Sequence, residues 1–199
     1  KNKYISFING IDCSTIKTKE ISTKNKDENK EKVGFLWAAS LLRWKHVELF
    51  IAAMTKLNNS AIDTDKYFAN ICYIEPQTDA YVDVENLDKV VNIQWYADPT
   101  NLNDIRANSS VFISTSEEEP FGLSILESMA AGLAIVIPAD NAYWDQHLTD
   151  GYDCVKYVPN NMESLVQALT RLVNDPDLLL KTAQQAKRSA QKYCHLHCY

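Results

Sequence analysis

Apolar residues along the chain alternate between short continuous runs and helical repeats, a pattern typical of strands that alternate with helices. The runs that predict strands lie at 33–38, 68–74, 91–96, 111–113, 133–137 and 154–158. Helices are predicted at 45–57, 84–90, 102–107 (with Thr100 as N-cap), 123–131, 162–173 and from Asp175-Pro176 to about Tyr193. This alternation predicts an α/β fold with a doubly wound parallel sheet of about six strands.

The clearest unit runs from Val111 to Pro138 and consists of a strand, an acidic loop, a helix and a second strand. Glu119 lies in the loop at the carboxyl end of the first strand, where doubly wound folds bind ligands. Glu127 lies about two turns into the helix. The helix start between them offers unpaired N–H groups that suit phosphate, on Phe121, Gly122, Leu123 and Ser124. Two carboxylates beside an anion cradle suit a ligand with hydroxyls and phosphates, such as a nucleotide sugar.

The same segment carries a family motif. Glu119 and Glu127 bound the stretch E-P-F-G-L-S-I-L-E, which S-M-A-A-G and an apolar strand follow. This arrangement resembles the C-terminal, donor-binding domain of retaining GT-B glycosyltransferases, the glycosyl transferases group 1. The resemblance implies a Rossmann-like sheet and a hexosyltransferase of polysaccharide biosynthesis. Such an enzyme moves a sugar from a nucleotide sugar to a glycan or lipid-linked saccharide, with retention of the anomeric configuration.

The resemblance also implies roles for individual residues. Glu119, as the catalytic carboxylate, would position the donor-sugar hydroxyls, and Glu127 would hydrogen-bond the ribose hydroxyls. Lys45 stands where the family has a lysine that clamps the donor diphosphate. The sugar-side phosphate oxygens would bind the amides of Phe121, Gly122, Leu123 and Ser124. No metal and no cofactor is implied beyond the UDP- or GDP-linked donor substrate, because cationic side chains and helix dipoles neutralise the phosphates.

The chain departs from the family's pattern at two places. The family reads G-R-L-x3-K-G where this chain has Ala39, Ser40 and His46 in place of glycine, arginine and glycine. The bidentate phosphate contact of the arginine is therefore lost at Ser40, and Arg43 is the nearest substitute. Relatives carry a Gly-Gly pair where this chain has Asn141-Ala142, which would lack that backbone freedom and narrow the donor pocket.

These departures leave a second interpretation open. The chain would then be a degenerate GT-B domain that binds no donor and acts as a non-catalytic structural or interaction module. A sugar-nucleotide epimerase of related fold fits the central motif less well. A dehydrogenase is disfavoured because no G-x-G-x-x-G follows the first strand.

Composition narrows the partners and the compartment. The net charge of −6 and the pI near 5.2 argue against nucleic acid as the main partner. No apolar run approaches the roughly 20 residues of a membrane span. The five cysteines are scattered, which predicts no disulfide framework and a reducing cytoplasm.

The predicted boundaries are a linker at 1–16, a mobile charged loop at 17–32, the donor-binding domain at 33–193 and a tail at 194–199. N-G-I-D near the start resembles the family's crossing between domains, so we expect the N-terminal acceptor domain to be absent. The isolated domain would then be inactive, and peripheral membrane association would act through the missing domain. The Cys/His tail is interpreted as disordered, with a zinc site as the alternative.

Overall fold

The computed structural model describes residues 10–18, 32–78, 80–87 and 89–194. These ranges contain one sheet, made of β1 (Val33–Ser40), β2 (Tyr67–Ile74), β3 (Ile93–Ala97), β4 (Val111–Ile113), β5 (Ala134–Pro138) and β6 (Val155–Tyr157). The α-helices are α1 (Val47–Asn58), α2 (Leu102–Ala107), α3 (Leu123–Ala131), α4 (Tyr143–His147), α5 (Met162–Asn174) and α6 (Pro176–Ala190). Single 3₁₀ turns lie at Cys13–Thr15, Arg43–Lys45, Thr64–Lys66, Val84–Asn86 and Gln191–Tyr193.

All neighbouring strands are parallel, in the order β3-β2-β1-β4-β5-β6. The direction of winding reverses between β1 and β4, where Phe35 pairs with Val111. Ligands of doubly wound sheets bind at the carboxyl ends of the strands beside such a switch point. The predicted Rossmann-like α/β sheet of six parallel strands is confirmed, and its topology places a binding crevice above β1 and β4.

Both faces of the sheet are covered, as a parallel sheet requires. Phe35 and Trp37 of β1 face the layer that holds α1 and α5, whereas Leu36 and Ala38 face the layer that holds α3 and the C-terminal part of α6. Each of these four side chains is buried. The apolar core therefore holds the strands rigidly, while the residues that follow the strands are free to form a site.

Some local predictions are wrong for identifiable reasons. The helix predicted at 45–57 begins at Val47, because His46 adopts a left-handed backbone with φ 49°. Of the helix predicted at 84–90, the described residues form one 3₁₀ turn, Val84–Asn86, and the Glu85 N–H donates to the Asp83 side chain. The N-cap of α2 is Asn101 rather than Thr100. The short helix α4 was not predicted.

The segments outside the domain core are only partly described. Most of the predicted linker at 1–16 and loop at 17–32, together with residues 195–199 of the tail, lie outside the described residues. At the described ends of the loop, Lys17 pairs with Asp104 and Lys32 lies 3.4 Å from Asp65. Within the described ranges, the longest helices are too short and too polar to cross a bilayer.

A disulfide joins Cys13 to Cys194, which are 181 residues apart in sequence. The two segments meet because Ile11 pairs with Cys194 in a β-bridge, and the Ile11 N–H donates to the carbonyl oxygen of Tyr193 at 3.0 Å. The scattered cysteines predicted no disulfide framework and gave no sign of this single bond. Cysteine spacing could not show that the last helix returns to the first described residues.

This disulfide affects two other predictions. Cys194 is bonded to Cys13 and is not available as the zinc ligand considered for the tail, whose remaining residues lie outside the described ranges. The cytoplasmic location stays a prediction, but it loses the support drawn from unpaired thiols, because disulfides persist mainly in oxidising compartments.

Replacing Cys13 by serine is expected to lower the free energy of unfolding by about 2–4 kcal/mol, because the cross-link restricts nearly the whole unfolded chain. Urea unfolding, followed by far-UV circular dichroism, measures the change. Dithiothreitol should lower the wild-type midpoint and leave the Cys13→Ser midpoint unchanged. A wild-type midpoint that does not respond to dithiothreitol would contradict the prediction.

Candidate active site

A pocket of about 160 Å³ lies above the carboxyl ends of β1 and β4, at the switch point of the sheet. Its walls come from the end of β1, the loop after β4 and the first turn of α3. The predicted site residues that line it are Ser40, Lys45, Glu119, Gly122, Leu123 and Ser124. Residues far apart in sequence thus meet at the edge where the fold binds ligands.

Lys45 and Glu119 form an ion pair inside this pocket, between Nζ and Oε2. Their side chains are only 14% and 15% exposed, so the two charges attract each other more strongly than a surface pair would. The Lys45 ammonium also lies 3.8 Å from the centroid of the Trp44 ring. The predicted diphosphate clamp and the predicted sugar-binding carboxylate therefore neutralise each other.

Two residues that sequence reasoning missed hold Lys45 in place. The buried Trp37 donates its indole N–H to the Thr115 hydroxyl at 2.9 Å. That hydroxyl donates to the carbonyl oxygen of Lys45 at 2.7 Å. The Glu117 N–H donates to the carbonyl oxygen of Trp44 at 2.9 Å, which attaches the same turn to the loop after β4. No sequence motif marks Trp37 or Thr115, since their roles depend on the pairing of β1 with β4.

The first turn of α3 lines the pocket with Gly122, Leu123 and Ser124. Gly122 is its N-cap, with φ 73°, and has no side chain to cap the N–H groups of Leu123 and Ser124. The Phe121 ring points elsewhere, into an aromatic cluster with Tyr143 and Trp144 at centroid distances of 4.9 and 5.4 Å. Phe121 thus anchors the loop with its ring, and any ligand contact from this residue would come from its backbone.

Glu127 lies outside the residues that line this pocket. Its Oε2 lies 2.6 Å from Nη2 of Arg106, a buried residue of α2 that sequence reasoning missed. Arg43, the proposed substitute for the family arginine, is exposed and does not line the pocket either. In the described part of the chain, Lys45 is therefore the one cation of the pocket lining.

The loop at Asn141-Ala142 keeps a left-handed turn without glycine. Asn141 has φ 63°, a conformation that asparagine tolerates better than most residues, and its N–H donates to Asp145 Oδ2 at 2.8 Å. The Asp140 carboxylate accepts from the N–H groups of Ala142 and Glu118, each at 3.0 Å. Asn141 therefore adopts a left-handed conformation, although it lacks the full backbone freedom of glycine. Ala142 lines a small cleft that adjoins the pocket at Glu119.

Asp145, in α4 directly after this loop, stays ionised. Burial raises the pKa of the Asp145 carboxyl, but hydrogen bonds from Lys156 and from the Asn141 N–H outweigh burial, so this pKa lies below its usual value. Lys156 Nζ lies 2.6 Å from Asp145 Oδ1. The charge of Asp145 is thus compensated by Lys156, and it serves to hold the Asn141 turn.

The pocket combines one cation, one carboxylate, serine and threonine hydroxyls and a helix N-terminus. A helix N-terminus and a lysine bind phosphate oxygens, and a carboxylate accepts hydrogen bonds from hydroxyls. Among the described residues, histidine, cysteine and acidic side chains form no group of three or more that could hold a metal ion. The pocket therefore has the groups needed to bind a ligand with both phosphate and hydroxyls.

Comparisons with known proteins agree with this geometry. A family model described as glycosyl transferases group 1 matches residues 17–192. The alpha-monoglucosyldiacylglycerol synthase of Acholeplasma laidlawii is 25% identical over 119 residues, which are 60% of this chain and 29% of that protein. The chain thus spans less than a third of the length of this curated relative.

Two solved structures show the same fold. The C-terminal domain of a glycosyl transferase group 1 family protein (LpcC) from Francisella tularensis has a TM-score of 0.72 at 20% identity, over 94% of this chain and 100% of that one. Anabaena HepE in complex with UDP-glucose has a TM-score of 0.74 at 17% identity, over 94% of this chain and 53% of that one. Because the family model covers more than half of the chain, this chain belongs to the glycosyl transferases group 1 family, and it has the fold of a GT-B C-terminal domain.

Proposed function

We propose that the chain is the donor-binding domain of a retaining glycosyltransferase, which moves a hexosyl group from a UDP- or GDP-linked sugar to an acceptor. The observation that carries this proposal is the Lys45–Glu119 pair, which lies at the N-terminus of α3 in the switch-point pocket. The acceptor, a glycan or lipid-linked saccharide, would bind to a separate N-terminal domain. The isolated domain would then bind the donor without transferring its sugar.

The pocket suggests how the donor would be bound. The diphosphate would take the Lys45 ammonium from Glu119 and would also accept hydrogen bonds from the Leu123 and Ser124 N–H groups. Glu119, once released, would accept hydrogen bonds from the donor-sugar hydroxyls and stabilise the positive charge that develops at the anomeric carbon. Glu127 would bind the ribose hydroxyls. The diphosphate would thus contact Lys45 and the sugar would contact Glu119, so the ligand replaces the ion pair between these two residues.

This exchange predicts the effect of Glu119→Gln on the binding of UDP or GDP, which carry no sugar. The glutamine is close in shape but no longer competes for the ammonium, so these diphosphates are expected to bind about fivefold more tightly than to the wild type. Isothermal titration calorimetry measures the change. Unchanged or weaker binding of both diphosphates would contradict the exchange.

The relatives support the class of donor. HepE was solved in complex with UDP-glucose, and the Acholeplasma enzyme is named as an alpha-monoglucosyldiacylglycerol synthase. Peripheral membrane association of the acceptor domain stays a proposal.

One observation favours a second candidate, a degenerate domain that acts as an interaction module. Ser40 replaces the family arginine and Glu119 neutralises Lys45, so the diphosphate would bind to a pocket whose lining carries no excess positive charge. Calorimetric titration of the wild type with UDP, GDP, ADP, UDP-glucose and GDP-mannose separates the two candidates. Saturable binding of one donor together with its diphosphate is expected. A folded sample that binds none of the five would overturn the donor-binding proposal and favour the module.

A further inference from the structure

Arg106 is a buried cation that contacts Glu127, the residue proposed to bind the ribose. It lies on α2, is 1% exposed, and reaches Glu127 on α3 through Nη2 at 2.6 Å. Its Nη1 donates to Oδ1 of Asn103 at 2.6 Å, one turn earlier on α2. The guanidinium thus binds Asn103 through Nη1 and Glu127 through Nη2.

Stability alone does not explain an arginine at this position. The Nε atom is buried without a hydrogen-bond partner among the described residues. Burial lowers the pKa of the Arg106 guanidinium, against the attraction of Glu127, which shows the cost of keeping this charge out of water. Buried ion pairs can often be replaced by apolar residues with no loss of stability. The contribution of Arg106 therefore lies in what it does to Glu127.

The Glu127 side chain is 32% exposed, so it is held by a buried group and yet remains open to solvent. In the described part of the chain, only its Oε2 accepts a hydrogen bond, and Oε1 is left for a ligand. The nearby Cys72 thiol does not compete for the arginine, because burial raises its pKa to about 11 and keeps it neutral. Glu127 therefore supplies the negative charge that Arg106 needs, and this interaction restricts the rotation of the glutamate.

We propose that Arg106 is a positioning residue that fixes the Glu127 carboxylate for the ribose diol of the donor nucleotide. The inference rests on the proposed nucleotide-sugar function and adds the residue that prepares its ribose contact. A glutamate on a helix surface has three rotatable bonds, whose freedom would otherwise be lost when the ligand binds. With one oxygen held by Arg106, the other is oriented before the nucleotide arrives.

The test compares a ribonucleotide with its deoxy form. Binding of UDP and of 2′,3′-dideoxy-UDP, or of the guanosine pair if GDP binds more tightly, is measured by calorimetry for the wild type, Glu127→Ala and Arg106→Met. Glu127→Ala should remove the preference for the ribose form. Arg106→Met is expected to weaken UDP binding about tenfold and to change dideoxy-UDP binding less than about twofold. Arg188→Met, which removes an exposed arginine from α6, is the matched control and should change neither.

The outcomes separate this inference from the proposed function. Equal weakening of both nucleotides in Arg106→Met would show a merely structural role and overturn the inference, as would an unchanged preference for ribose. A wild type that binds no nucleotide would overturn the proposed function and this inference with it. If circular dichroism shows that Arg106→Met does not fold, the ribose preference is measured instead for Arg106→Lys and Asn103→Ala. In each of these two variants the preference for UDP over dideoxy-UDP should fall at least about threefold. If both variants kept the preference of the wild type, the proposal would be overturned.

Discussion

Lys45→Met is expected to weaken UDP or GDP binding by about 100-fold. The substitution removes the one cation that the described residues supply to the pocket lining, where low exposure strengthens charge interactions. It also leaves the Glu119 carboxylate without its partner, so that this charge repels the incoming diphosphate. Methionine keeps an unbranched side chain of similar length but removes the ammonium that lies over the Trp44 ring, so the loss reports the charge.

Isothermal titration calorimetry with the tighter-binding diphosphate measures this effect. Lys56→Met is the matched control, because Lys56 is an exposed lysine on α1 whose Nζ lies 2.8 Å from Glu163, away from the pocket. The control should bind within about twofold of the wild type, since exposed ion pairs contribute little. If Lys45→Met bound diphosphate as well as Lys56→Met does, Lys45 would not be the phosphate clamp.

Sequence reasoning predicted those parts of the pocket that are formed by residues close together in the chain. The motif from Glu119 to Glu127 fixes the loop, the Gly122 cap and the start of α3 within a few residues. The alternation of strands and helices then places this loop at the carboxyl edge of the sheet. Part of the polar lining could therefore be predicted from sequence, namely Ser40, Lys45, Glu119 and Ser124, whereas Ser114, Thr115 and Ser116 were missed.

The interactions that hold the site were not predictable, because they join residues that are distant in sequence. The Trp37–Thr115 hydrogen bond spans 78 residues and exists because β1 pairs with β4. The ion pair between Arg106 and Glu127 depends on how α2 lies beside α3. The disulfide between the ends of the described chain requires the whole fold. None of these follows from periodicity or from a motif.

The replaced glycines show a different limit of sequence reasoning. His46 and Asn141 stand at family glycine positions, and both adopt left-handed backbones, with φ 49° and 63°. Asn141 lacks the freedom of glycine, yet it keeps a left-handed turn that its N–H bond to Asp145 supports. A missing glycine therefore indicates a missing conformation only where the new side chain or its hydrogen bonds cannot support it.

Gly122 is a position where glycine is required, and Gly122→Ala is expected to lower both stability and donor binding. The backbone has φ 73°, which costs a residue with a Cβ about 1–2 kcal/mol. The new Cβ would also lie 2.9 Å from Glu119 Cγ and 2.9 Å from Ile125 Cδ1, closer than non-bonded carbon atoms pack. Ile125 is buried, so Glu119 must move and take Lys45 with it. We therefore expect binding of the nucleotide sugar to weaken at least about tenfold.

Gly151→Ala separates these two effects. Gly151 has nearly the same backbone, with φ 70°, but its added Cβ would meet only Arg171 Nη2, at 3.8 Å, far from the pocket. Urea unfolding should show that Gly151→Ala is destabilised by the backbone cost alone, while calorimetry should show wild-type binding of the nucleotide sugar. Gly122→Ala should lose stability and binding together. If both variants bound the donor equally well, Gly122 would be needed only for the left-handed turn. The contact between the added Cβ and Glu119 would then have no effect on donor binding.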